Sequence, residues 1–184
     1  MAYFPMCVDL TGKLVYVIGG GPQAAQKAQV LRPFGPQLRQ QGTFTQADAE
    51  EGPALVVVGD LPLAEAEKIV QICRLHGIAV NVVDVPRLCS FYFPSLVTRG
   101  PLTVSVSSGG ACPAGAAYLR RQMERTLPAH TEQVLLWLEE NRQSLRQRGI
   151  LTPAVALAFQ KDRPLTGEEM EELENHGGIF GKKG

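Results

Sequence analysis

The sequence predicts an α/β fold built on a parallel sheet, and three observations predict it. An apolar run, Leu14 to Ile18, is followed at once by Gly19-Gly20-Gly21 and then by residues suited to a helix, which reads as strand, tight turn, helix. Apolar runs at 54–59 and 78–83 then alternate with helical patterns of roughly 10 to 15 residues, the signature of βαβ units. From Thr131 the composition changes, and Val134, Leu135, Trp137, Leu138 and Leu145 recur at helical spacing among Glu, Arg and Gln. A Rossmann-like parallel sheet is therefore expected first, with a small C-terminal helical domain after it.

The glycine turn is the stretch with the most chemistry in it. Its spacing, Gly19-x-Gly21-x-x-Ala24, fits the dinucleotide-binding fingerprint G-x-G-x-x-G/A. Gly19 permits a sharp turn. Gly21, without a side chain, lets a pyrophosphate approach the backbone. Ala24 is small enough for the helix to lie close on the strand. Free N–H groups at the helix start, together with the helix dipole, favour phosphate, and Pro22 suits a first helical turn. The same pattern also serves as a plain strand-to-helix turn that holds nothing.

Composition narrows the function classes. Lys plus Arg total 18 and Asp plus Glu total 18, so no net field points to nucleic acid or an anionic membrane. No apolar run approaches the ~20 residues of a membrane helix. Residues 1–10 lack the cationic start and apolar core of a signal peptide. Cys7, Cys73, Cys89 and Cys112 are scattered without C-x-x-C pairs, which argues against a zinc site or disulfide framework and for reduced cytoplasmic thiols. His76, His130 and His176 are too dispersed to suggest a metal site.

Taken in order, residues 4–10 are apolar apart from Asp9 and are expected to lie across the sheet as an edge segment. A helix from Ala24 is ended by Pro33 and Gly35-Pro36. The second strand, 37–42, is weak: short, polar and with one aliphatic residue. Thr45, with Asp48 three residues on, caps a short helix. The run 54–59 is a buried strand of the parallel type, 64–76 is a helix stopped by Gly77, and 78–83 is the next strand. Asp84-Val85-Pro86 follows at a carboxyl edge, where open α/β sheets put ligands. Residues 102–107 alternate as a half-exposed strand. Ser107-Ser108-Gly109-Gly110 makes a second glycine turn before a helix, 114–127, carrying Arg120, Arg121 and Arg125. Helices over 131–149, 151–160 and 166–175 complete the chain, and 177–184 is expected to fray.

Several stretches together resemble one family, the precorrin-2 dehydrogenase/sirohydrochlorin ferrochelatase proteins, which include the N-terminal part of siroheme synthase. The matching residues are Phe4-Pro5-Met6, Val8-Asp9-Leu10, Val17 to Gly21 with Ala24 and Lys27, Asn81-Val82-Val83-Asp84 with Pro86, Phe91, Pro94-Ser95, Arg99, Pro101-Leu102, and Val104 to Gly110 with Pro113. They span residues 4 to about 127. The glycine turn is widely shared, whereas Asn-Val-Val-Asp and Ser-Ser-Gly-Gly-x-x-Pro at this separation are much more specific.

The resemblance implies an NAD-dependent oxidation of precorrin-2 to sirohydrochlorin, in siroheme or cobalamin synthesis, with metal insertion in some members. It implies a homodimer with a Rossmann-like domain (1–95), a dimerisation and substrate region (96–128) and a helical domain (129–184). It maps the catalytic carboxylate onto Asp84, the cofactor contacts onto the Gly19–Gly21 turn with Pro22 and Gln23 and onto Thr43 and Phe44, and the second-turn serine onto Ser108 with Gly109. A substrate rimmed with carboxylates calls for cations, which Arg99 and Arg120 supply. On residues alone, Asp84 reads equally as a turn carboxylate, Ser108 as a turn and cap, and each arginine as a solvated charge.

The chain departs from the family at four places. Arg39, Gln40 and Gln41 stand where an acidic residue would hold the adenosine ribose. The stretch between the second and third strands is short, as though a strand were trimmed. Gly59-Asp60 replaces a Thr-Asp type turn, and Pro22-Gln23 replaces an acidic or small residue plus an aliphatic one. Three readings stay open: NAD binds with fewer contacts, Arg39 faces a 2′-phosphate, or nucleotide binding is lost. In the last case the chain is a chelatase without redox activity or a non-enzymatic tetrapyrrole carrier.

Overall fold

A computed structural model describes residues 3–176. The chain divides into two compact units, residues 3–93 and the residues from 94 onward. The expected frayed tail, 177–184, lies outside the described residues.

The first unit is a four-stranded sheet with helices on both faces. Its elements are β1 (Leu14–Ile18), α1 (Pro22–Leu31), β2 (Gln37–Gln41), α2 (Gln46–Glu50), β3 (Leu55–Val58), α3 (Leu63–Leu75) and β4 (Ala79–Val82). The strands are all parallel, in the order β2-β1-β3-β4. Alternate side chains of each strand face opposite sides. Val15, Val17, Leu55 and Val57 pack under α1 with Ala24, Ala28 and Leu31. Tyr16, Ile18, Val56 and Val58 pack against α3 through Ala66, Ile69, Val70 and Cys73. Burial on both faces is why β1 and β3 read as unbroken apolar runs.

The sheet also explains the weak second strand. The usual doubly wound order continues outward beyond the second strand. Here β2 is the edge, and Gln37, Arg39 and Gln40 are exposed on it. Polar residues at an edge discourage pairing with other chains. The short helix α2 is held by the reciprocal pair Thr45–Asp48. Residues 4–10 form no strand; the segment is exposed until Leu10, which is buried against β1 and α1. Of the expected edge segment, Leu10 is the residue that packs on the sheet. Beyond β4, residues 89–91 cover its open edge: the Ser90 N–H donates to the Val80 carbonyl at 2.8 Å, and the Asn81 amide donates to the Phe91 carbonyl at 2.9 Å.

The second unit opens with an antiparallel hairpin, β5 (Ser95–Arg99) and β6 (Leu102–Val106), turned at Gly100 with φ 53°. Helices α4 (Pro113–Thr126), α5 (Thr131–Gln147), α6 (Leu151–Lys161) and α7 (Gly167–His176) follow. Val134, Leu138, Leu145, Ile150, Ala154, Ala158 and Leu165 form its helical core, with Trp137 packed on the edge.

Candidate functional site

The strand order reverses direction between β1 and β3, and open sheets bind ligands at that crevice. Two turns meet there. Gly19 has φ 117°, and a β-carbon on it would overlap the Gly59 carbonyl oxygen. Only glycine satisfies both the backbone angle and the contact. A β-carbon on Gly59 would in turn touch the Ala24 backbone nitrogen at 3.0 Å. The first turn of α1 is thereby pressed onto the end of the sheet. The space above, about 340 Å³, is lined by Gly19, Gly20, Gly21, Ala25, Gln40, Gln41 and Gly42. That volume lies in the range of small-molecule sites.

Asp60 sits at the end of β3 with φ 58°, a conformation aspartate adopts more readily than most residues. Its carboxylate accepts the Ala24 N–H at 3.0 Å and lies against the bare backbone of Gly21. Asp84, at the end of β4, has φ 60°. Its carboxylate accepts the Gln23 side-chain amide at 2.7 Å. Two aspartates in left-handed backbone at neighbouring strand ends thus face one helix start. Such conformers gather at functional sites.

Lys27 lies one turn further along α1, half-buried, with its ammonium 4.7 Å from the centre of the Phe93 ring. Burial pushes its pKa down, and the charge of Asp84 works against that shift. Cys89 hydrogen-bonds the backbone of Val82 in both directions at 3.2 Å, and burial pushes its thiol up. Its role there is to hold the loop that carries Asp84.

The remaining predicted cofactor residues are placed differently. Thr43 is exposed beside the Gln40–Gly42 rim, and its carbonyl accepts the Gln41 amide at 2.8 Å. The Phe44 ring is buried, edge-on to Tyr16 at 5.2 Å between centroids. Arg39 is paired with Glu51 at 2.6 Å and donates to the Tyr16 hydroxyl at 2.9 Å. Its guanidinium is engaged by Glu51, just past α2, and by Tyr16 of β1, and is not an uncommitted phosphate ligand.

Ser108, Gly109, Arg99 and Arg120 belong to the second unit. The Ser108 hydroxyl accepts the Cys112 N–H at 3.0 Å, and the Gly109 N–H goes to the Ser107 hydroxyl at 3.2 Å. The turn before α4 therefore satisfies much of its own backbone. Arg120 and Arg99 both reach Glu124, at 2.5 Å and 3.4 Å. Among the described residues no group of three or more His, Cys, Asp or Glu is arranged to hold a metal.

Sequence reasoning did not foresee the Gln23–Asp84 link or the seat of Asp60. The only advance signal was that both Pro22-Gln23 and Gly59-Asp60 depart from the family pattern. Chemically, the crevice offers glycine backbone for a diphosphate and two exposed carboxylates at one helix start, Asp60 and Asp84.

The family described as "Putative NAD(P)-binding" matches residues 36–95. A siroheme synthase of Azotobacter vinelandii is 32% identical over 93% of this chain and 43% of its own length. One from Ectopseudomonas mendocina is 37% identical over 70% of this chain and 32% of its own length. The chain thus spans less than half of these curated relatives. Among solved structures, SirC, a precorrin-2 dehydrogenase, superposes with a TM-score of 0.63 at 16% identity, covering 97% of this chain and 100% of that one. The likeness at that identity is one of fold.

Proposed function

The chain belongs to the same family as the stretch of the siroheme synthases it matches, and from that premise we propose that it oxidises precorrin-2 to sirohydrochlorin with NAD⁺. The observation that supports this most is the 2.7 Å hydrogen bond from Gln23 to Asp84, which ties the exposed acid to the first turn of α1. The glycine turn suits a diphosphate because Gly19 to Gly21 bring no side chain of their own to the crevice, although the Asp60 carboxylate lies against Gly21. Gly20, Gly21 and Gln23 would hold the diphosphate, with Ala24 joining them once Asp60 releases its N–H, and Thr43 with the Phe44 backbone would border the adenosine end. The cofactor, when bound, supplies the hydride acceptor. Asp84 takes the proton released as the macrocycle loses its hydride, with Gln23 orienting the carboxylate. In the second unit, Arg99, Arg120 and the Ser108-Gly109 turn are proposed for substrate carboxylates on the family resemblance, with both arginines having to leave Glu124 to do so.

Precorrin-2 supplied with NAD⁺ should produce NADH absorbance, and Asp84→Asn should slow its appearance about a hundredfold or more. No absorbance with either NAD⁺ or NADP⁺ removes the reading. A second reading, a sirohydrochlorin chelatase without redox activity, is favoured by Asp60 at the helix start and by the engagement of Arg39. Iron insertion without nucleotide, lost in Asp84→Ala, distinguishes it.

We also assign the protein to the cytoplasm, on four free thiols, and to a homodimer. The β5–β6 hairpin packs on α4, and that helix leaves Tyr118, Leu119 and Met123 exposed, an apolar surface a second copy would cover. Light scattering showing a monomer at micromolar concentration would exclude the dimer.

A further inference from the structure

We infer that Asp60 limits dinucleotide binding, because its carboxylate occupies the place on α1 that a cofactor phosphate would take. The inference rests on the nicotinamide reading above and concerns how strongly that cofactor is held.

Part of the donor set at the helix start is already committed. Pro22 has no N–H. The Ala25 N–H returns to the Gly21 carbonyl at 3.2 Å, and the Ala24 N–H is given to Asp60 at 3.0 Å. The bare backbone of Gly21 is likewise filled: a β-carbon there would overlap the Asp60 carboxyl group. So the opening that glycine leaves for a diphosphate is already used by this side chain. Among the described residues no cation forms an ion pair with Asp60. Its negative charge therefore faces the position of another negative group at contact distance, where repulsion is strongest. A dinucleotide has to turn this carboxylate away, and it loses affinity in doing so.

The left-handed φ of 58° at Asp60 selects the substitutions that test this. Asparagine and glycine both tolerate that conformation. Asp60→Asn keeps the shape and an acceptor for Ala24 while removing the charge. Asp60→Gly removes the occupant. Fluorescence titration of the full chain with NADH should give roughly tenfold tighter binding for Asp60→Asn than for the parent. Asp60→Gly should bind at least as tightly as Asp60→Asn. The gap between parent and Asp60→Asn should narrow as salt is raised towards ~1 M, because screening acts on the charge and not on the shape. If Asp60→Gly does not fold by circular dichroism, Asp60→Asn decides alone. Equal or weaker NADH binding by Asp60→Asn overturns this inference and leaves the NAD-dependent reading standing. Absence of NADH binding in the parent and both variants overturns the two together.

Discussion

Gln23 lies in the first turn of α1 and Asp84 just past β4, and the side-chain amide of one donates to the carboxylate of the other at 2.7 Å. The bond joins the loop that would carry the cofactor to the acid that would carry the proton. Replacing Gln23 by Met keeps most of the volume and removes the donor. We expect kcat/KM for precorrin-2 to fall about tenfold while NADH affinity shifts less than about twofold, since the effect runs through Asp84. Asp84→Asn should cost about a hundredfold or more in kcat. A Gln23→Met enzyme with the parent's kcat/KM would dissociate this hydrogen bond from catalysis.

Gly19 and Gly59 make the tightest backbone approach in the crevice. Any side chain at 19 meets the Gly59 carbonyl, and φ 117° is closed to alanine. Gly19→Ala should therefore lose about 2–4 kcal/mol in urea unfolding, with the loss read as a lower midpoint. Gly20→Ala, where a β-carbon meets nothing within 4 Å, should stay within about 1 kcal/mol. Similar midpoints for the two variants would contradict the packing described.

The contrast between these glycines and the two aspartates shows what the sequence makes legible. Gly19 to Ala24 is a local pattern: strand period, turn and helix start follow one another, so placing them needs no distant contact. The strands of the first sheet were readable for the same reason, and even the polar 37–41 stretch makes sense as an edge. Residues 4–10 were harder, because apolar character alone does not say how much of the segment lies on the sheet, and only Leu10 is buried there. Asp60 and Asp84 depend on how β3 and β4 end beside α1, which is set by pairings 36 and 61 positions apart in the chain. Spacing along the chain does not report on such contacts. Phe44, reached through resemblance alone, has its ring committed to Tyr16, so only its backbone remains for a ligand.

The four thiols should separate by environment. Cys7 and Cys112 are exposed, Cys89 is partly buried, and Cys73 is enclosed between α3 and the sheet, where burial pushes its thiol up to about 12. Only the thiolate alkylates readily. At pH 8, mass spectrometry should find Cys7 and Cys112 modified quickly by iodoacetamide, Cys89 slowly, and Cys73 only after denaturant. Rapid labelling of Cys73 in the native protein would place it outside a closed core.

The helical unit should be sensitive to acid, through a small set of carboxylates. Arg163, at 2.7 Å, holds Glu169 well below the usual 4.5, helped by Lys161 and by the Thr166 N–H at 2.8 Å. Arg148 lowers Glu174 in the same way. At Asp162 desolvation works in the other direction, but the backbone N–H and ring of His130 outweigh it. A carboxylate with a depressed folded pKa contributes stability in full above its unfolded value. That contribution is lost as pH falls through the folded value. These pairs lie at the surface, Glu169 with its side chain 13% accessible and its cationic partners more open, so each contribution is modest and salt weakens it. The single tryptophan, Trp137, packs on the core of this unit and reports its unfolding. Its urea midpoint should be level from pH 7 to about 5 and decline below about 4.5, and Glu169→Gln should flatten that decline. An unchanged slope in Glu169→Gln would mean that the acid sensitivity arises elsewhere than in the Arg163–Glu169 contact.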